Sequence, residues 1–183
     1  AGLAMSASDP PQHSEANAAE RADSRLVSML ARLSRAAAVF AVVTGLLVLA
    51  GWALDIVLLK SVGAGFATMK PNTAFAFVLA GVALWMLQPD RESSRTRIVA
   101  GACSAAVMTI GLLSLGENLA GWDLGIDQLL FTDSALPADT GSPGPMAPTT
   151  ALSFLLIGGA LQLLALPGRR WHHLVRTLAL AVL

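Results

Sequence analysis

The sequence predicts an all-α integral membrane protein: four complete transmembrane helices plus the start of a fifth, arranged as tandem parallel two-helix repeats, with the N-terminus cytoplasmic. Three observations carry this expectation. Of 183 residues, 55% are hydrophobic and only 13% charged, and the mean hydropathy is +0.64. A soluble domain carries about a quarter charged residues. Apolar runs of roughly 20 residues, the length a helix needs to cross a bilayer, recur between short charged patches. Finally, residues 69–87, MKPNTAFAFVLAGVALWML, return at 146–164 as MAPTTALSFLLIGGALQLL, with ten of nineteen positions identical at an offset of 77.

The elements follow in chain order. Residues 1–24 are rich in Ala, Ser, Asp, Glu and Pro with almost no apolar clustering, and are expected to form a disordered cytoplasmic tail. They are too polar for a signal peptide, so the first span reads as an uncleaved anchor. The first two-helix unit covers 25–90. It opens with an amphipathic lead-in, Leu26 to Leu33, and places spans at about Ala36–Asp55 and Pro71–Leu87. The second unit, 91–168, has spans at Ile98 to about Leu119 and Pro148–Leu166, joined by an acidic loop at 117–145. Residues 169–183 start a third unit, whose span begins near Leu174. Ten residues of helix cover only ~15 Å against a hydrocarbon core of ~30 Å, so this span is expected to be cut off.

Orientation follows from the basic residues. Arg21, Arg25, Arg32 and Arg35 precede span one, Arg91, Arg95 and Arg97 separate spans two and three, and Arg169, Arg170 and Arg176 follow span four. Ten of the twelve Lys and Arg residues thus fall on one side, which the positive-inside rule makes cytoplasmic; Lys60 and Lys70 fall on the other. Trp52 and Trp122 then lie at outer span ends, and Trp85 and Trp171 at inner ends, where an aromatic belt anchors helices at the interface.

The repeat extends upstream of the quoted pair: GLLVLAGWALDIVLL at 45–59 echoes GLLSLGENLAGWDLGIDQLL at 111–130 with a short insertion. Since each unit holds two spans, both copies enter the membrane in the same direction, unlike the inverted repeats of many transporters. Pro71 and Pro148 suit the first helical turn, where an N–H would be unpaired anyway. Asn72, Thr73, Thr149 and Thr150 offer side-chain oxygens to the free N–H groups of that turn. An anion site at these positive helix ends is the alternative, but no basic cluster or glycine-rich loop accompanies them. Small residues at four-residue spacing (Ala37, Ala41, Gly45; Ala76, Ala80; Ala102, Ala106) suggest ridges for close helix contact, and Gly81 and Gly158 occupy matching repeat positions.

Chemistry is sparse. The 117–145 loop holds Glu117, Asp123, Asp127, Asp133 and Asp139 without a basic partner, in no calcium-loop spacing, so a solvated acidic loop is the plainer reading. Glu117, Asn118, Asp123 and Asp127 are the candidate ligand-binding residues. Glu117 ends span three, where it either snorkels to water or pairs inside the bundle, and Asp55 is similarly placed at the end of span one. His172 and His173 lack a second ligand at helical spacing, and Cys103 reads as a packing residue. No nucleophile elbow, phosphate loop, kinase signature or metalloprotease motif is present, so no catalytic residue, metal or cofactor is expected. A net charge of zero gives no reason to expect a nucleic-acid partner. The expected partners are the lipid bilayer and other helices, from a second copy or another membrane subunit.

The repeated MxPxTAxxFxLxGxAL and the GWDLGIDQLLF segment resemble the multi-span N-terminal membrane region of bacterial sensor proteins, over roughly residues 36–183. Met69, Pro71, Asn72, Thr73 and Ala74 match its first copy, and Met146, Pro148, Thr150 and Ala151 the second, with Thr149 in place of the Asn. In such proteins these units precede PAS domains and a histidine kinase or diguanylate cyclase. The resemblance therefore implies a signal-input module in the bacterial cytoplasmic membrane, non-enzymatic itself, with an output domain beyond Leu183. An accessory subunit of a respiratory or photosynthetic complex is the alternative. A transporter fragment is weaker, since no span carries an ionisable residue near its midpoint.

Overall fold

A computed structural model describes residues 11–60, 68–91, 93–121 and 146–166. Among them all regular structure is helical: α1 (Pro11–Ala53), α2 (Val57–Lys60), α3 (Pro71–Met86), α4 (Ser94–Ala120) and α5 (Pro148–Ala165), with a 3₁₀ turn at Pro89–Arg91. Three stretches are long and apolar enough to cross a membrane, Asp23–Ala53, Ser94–Ala120 and Pro148–Ala165, and these point to a membrane protein. The second expected span forms α3, which is apolar but has 16 residues, short of that length. The start of a fifth span lies outside the described residues.

Residues up to Ser34 form one compact unit and residues from Arg35 onward another. In the first, α1 is already helical from Pro11, so the helix covers half of the segment expected as a disordered tail. Composition explains this, because Pro11 stands at the first helical position and SEANAAERA is rich in the strong helix formers Ala, Glu and Arg. Leu26, Val27, Met29, Leu30 and Leu33 are exposed.

In the second unit the helix ends have identifiable causes. Pro71 and Pro148 are the first residues of α3 and α5, as their chemistry requires. The expected side-chain caps do not define these starts: the N-cap residues are Lys70 and Ala147, neither with a side-chain cap bond, while Asn72, Thr73, Thr149 and Thr150 sit inside the first turn. A capping box instead starts α4, where Ser93 Oγ accepts from the Thr96 N–H at 3.2 Å and the Ser93 N–H donates to Thr96 Oγ1 at 3.0 Å. Helix α4 ends at Gly121, whose φ of 65° places it in the left-handed region that glycine adopts without strain, with its N–H donating to the Glu117 carbonyl.

The packing is inside-out relative to a water-soluble bundle. Helix α4 buries Ala100, Ser104, Val107, Gly111, Ser114 and Glu117, a stripe of small and polar residues at three- and four-residue spacing. Its opposite face exposes Ile98, Leu112, Leu113 and Leu119. In hydrocarbon, exposed leucine carries no penalty, while small residues allow the close backbone approach that drives helix association. Among the described residues, two such approaches join long helices. A Cβ on Gly45 would stand 2.5 Å from the Ala74 carbonyl, and one on Gly81 2.7 Å from the Ala38 carbonyl, joining α1 to α3. A Cβ on Gly111 would stand 2.7 Å from the Ala151 carbonyl, and one on Gly158 2.7 Å from the Met108 nitrogen, joining α4 to α5.

These contacts bear out the expected small-residue ridges at Gly45, Ala76 and Ala80 and correct them elsewhere. Ala38 rather than Ala37 is buried on α1, and on α4 Ala102 is exposed and Ala106 half-buried, whereas Ala100 and Ser104 are buried. In an alanine-rich chain four-residue spacing occurs on several faces, and the glycines select which one packs. Among the described residues of this unit, Arg35, Arg91 and Arg97 lie at one end. Arg35 bonds Asp90 at 2.8 Å, and Arg97 donates to the carbonyls of Ala165 (3.3 Å) and Leu166 (2.7 Å).

Candidate functional site

The end of the body opposite these arginines holds four buried polar residues, Asn72, Thr73, Ser114 and Glu117. There α4 ends and α3 and α5 begin; Ala76 of α3 packs in one apolar cluster with Val107, Met146, Ala151 and Phe154, and Phe77 meets Phe154 edge-on with ring centroids 5.5 Å apart. One turn before Ala76, Asn72 and Thr73 are buried. On α4, Ser114 lies one turn before Glu117 and Asn118 and neighbours both on the helix surface. Asn118 Nδ2 donates to the carbonyls of Ser114 (2.7 Å) and Met146 (2.8 Å), tying the segment before α5 onto the end of α4.

Glu117 is only 6% exposed, and Ser114 is fully buried with no hydrogen-bond partner for its Oγ among the described residues. Of the two fates expected for Glu117, it lies inside the helical body rather than reaching out to water. Asp55 differs in every respect. It is exposed, has a φ of 55°, and bonds Lys60 at 2.5 Å. Aspartate tolerates that left-handed backbone better than most side chains, and this turn ends α1. Lys60 also stands 4.6 Å from the Trp52 ring centroid, and the Trp52 indole N–H donates to the Met69 carbonyl at 2.9 Å.

Of the four candidate ligand-binding residues, the structure thus places Glu117 and Asn118 together, while Asp123 and Asp127 lie outside the described residues. So do Trp122, Trp171, His172 and His173. Trp85 sits at the basic end with the Arg91 guanidinium 4.9 Å from its ring centroid. Among the described residues no group of three or more His, Cys, Asp or Glu side chains is placed to hold a metal. Sequence reasoning passed over Ser114 and the Asn118–Met146 bond. Ser114 and Glu117 continue the three- and four-residue spacing of the stripe that begins at Ala100, but burial, not the sequence, identifies that stripe.

No family model matches the chain, and neither a curated protein nor a solved structure matches it.

Proposed function

We propose that the chain is the membrane-embedded input module of a bacterial signal-transduction protein, multi-pass in the cytoplasmic membrane with its N-terminus inside. The observation that carries this reading is the burial of Glu117. An ionisable side chain held among membrane helices is costly to keep and marks a functional position by default. Its place at the end where the acidic loop joins α4 suits a group that meets a stimulus from outside. The Gly111 and Gly158 contacts couple α4 to α5 rigidly, and Arg97 holds the far end of α5. A change at Glu117 would therefore be felt at the basic, cytoplasmic end.

The finer architecture belongs to the same proposal: four spans, arranged as two parallel two-helix units. Equivalent positions support it. Gly45 and Gly111 each open a GLL segment and each face the Ala of a Pro-x-Thr-Ala motif, Ala74 or Ala151. Gly81 and Gly158 face the first helix of their own units in turn. Seven residues after the GLL glycines, Trp52 and Asn118 each donate to the carbonyl of a repeat methionine, Met69 or Met146. The clustering of Arg35, Arg91, Arg95 and Arg97 toward one end supports the orientation.

Two measurements test the reading. The reading frame beyond Leu183 is expected to encode a cytoplasmic output domain, and a stop codon soon after this segment would sink the proposal. In the full-length protein, Glu117→Gln is expected to change the stimulus dependence of output while leaving the amount of protein in the membrane unchanged. A second reading, an accessory subunit of a larger membrane complex, is favoured by the broad exposed face of α1, with Val39, Phe40, Val43, Leu46 and Leu47. Stable co-migration with a large complex on native purification would support that alternative.

A further inference from the structure

We propose that the groove between α1 and α3 at the basic end is a binding site for an anionic phospholipid, with one acyl chain in the groove and the phosphate met by Arg91. The groove encloses about 280 Å³ and is walled by Ala38, Val39 and Val43 of α1 and by Val82, Trp85 and Met86 of α3, with almost no polar surface. It opens beside the contact of Gly81 with Ala38 and Val42, where the two backbones approach most closely on this side.

Its lining suits a lipid tail. Along α1 it runs from Ala38 to Val43, ~7.5 Å of helix, and its walls are almost wholly apolar, as a stretch of hydrocarbon chain requires. The charge at its mouth selects the headgroup. The guanidinium of Arg91 lies over the ring of Trp85, itself a wall of the groove, at 4.9 Å from the centroid. A guanidinium over an aromatic face keeps its N–H donors available for a phosphate. Arg35, one turn before Ala38, is held by Asp90 at 2.8 Å, so Asp90 is already engaged beside Arg91. Residues 90–97 and Arg35 together bring four arginines against two acids. Apolar slot, interfacial tryptophan and phosphate-binding arginine thus follow one another along a single path, in the order in which a phospholipid presents its tail, glycerol region and phosphate.

The inference rests on placement in a membrane and not on the sensory reading, so either can fail without the other. The test is native mass spectrometry of the full chain released from detergent, titrated with phosphatidylglycerol or phosphatidylcholine of identical chains. The first phosphatidylglycerol adduct is expected to form about fivefold more tightly, the preference that one basic residue supplies at an anionic membrane surface. Arg91→Gln is expected to abolish the preference, and Arg95→Gln to leave it in place. Val39→Trp, which fills the slot from an exposed position, is expected to weaken the first adduct of both lipids. Equal binding of the two lipids by the unaltered chain, or a preference that survives Arg91→Gln, overturns the proposal. So does efficient covalent dimerisation in membranes of a Val39→Cys chain carrying Cys103→Ser, because a second copy would then cover the groove.

Discussion

Gly158 of α5 faces the main chain of Met108 so closely that a Cβ on it would stand 2.7 Å from the Met108 nitrogen and 2.9 Å from its Cα. Backbone atoms of a continuous helix do not yield as a flexible side chain does. Gly158→Ala is therefore expected to push α4 and α5 apart and to cost ~1–3 kcal/mol, the usual range for overpacking. Gly159, its neighbour, has nothing within 4 Å of a Cβ. Gly159→Ala should be neutral or slightly stabilising, because alanine is the better helix former. Thermal unfolding of both variants in one detergent separates the two cases, and equal midpoints would contradict the contact.

Asn118 holds the carbonyl of Met146 at 2.8 Å and that of Ser114 at 2.7 Å. Asn118→Leu keeps the volume and removes both bonds, and is expected to destabilise by ~0.6–1.7 kcal/mol, the range of polar contacts between membrane helices. The sharper readout is local: amide exchange at Ala147 and in the first turn of α5 should accelerate more than at the Arg97-held end.

Ser104 donates to Gln162 Oε1 at 2.5 Å, linking α4 and α5 partway along their contact. A double-mutant cycle of Ser104→Ala and Gln162→Leu should return a coupling of ~0.6 kcal/mol, the average for such pairs. A coupling indistinguishable from zero would show that the bond contributes nothing beyond packing.

Arg97 donates to the last carbonyls of α5, at Ala165 and Leu166. A cation at a helix C-terminus both satisfies those acceptors and offsets the negative end of the helix dipole, for ~0.3–1 kcal/mol. Arg97→Gln should fray the end of α5, seen as faster exchange at Leu163 to Leu166, with part of the effect reproduced in unaltered protein by high salt.

Much of this was legible along the chain, and what was not has a common cause. Pro71 and Pro148 announced the starts of α3 and α5, because a missing N–H and a fixed φ act within a single turn. Gly81 and Gly158 could be paired because both copies of the motif carry them. Their role as contacts fits, but the partners Ala38, Val42 and Met108 come from another helix and no local rule names them. The Gly-Trp signature aligned Trp52 with Trp122, while the bond to the repeat methionine is made by Trp52 in one case and Asn118 in the other. Hydrogen bonding to a carbonyl constrains where a donor ends up, not which residue type supplies it. Asn72 and Thr73, expected to serve the first turn of α3, are also buried in tertiary packing, which no local rule names. Glu117 was singled out by its place at a span end, but either of two environments remained open.

By itself the sequence determined that the chain forms apolar helices and where several of them begin, since composition, proline geometry and hydrophobic run length are properties of short segments. It also determined that ten of the twelve basic residues fall in three segments, which is a count along the chain. Only the tertiary structure decided which face of each helix packs. In hydrocarbon, apolar side chains give no preference for inside over outside, so hydropathy cannot choose the register. That choice falls to the few places where Gly45, Gly81, Gly111 and Gly158 let two backbones meet, and it is this register that carries Ser114 and Glu117 into the interior.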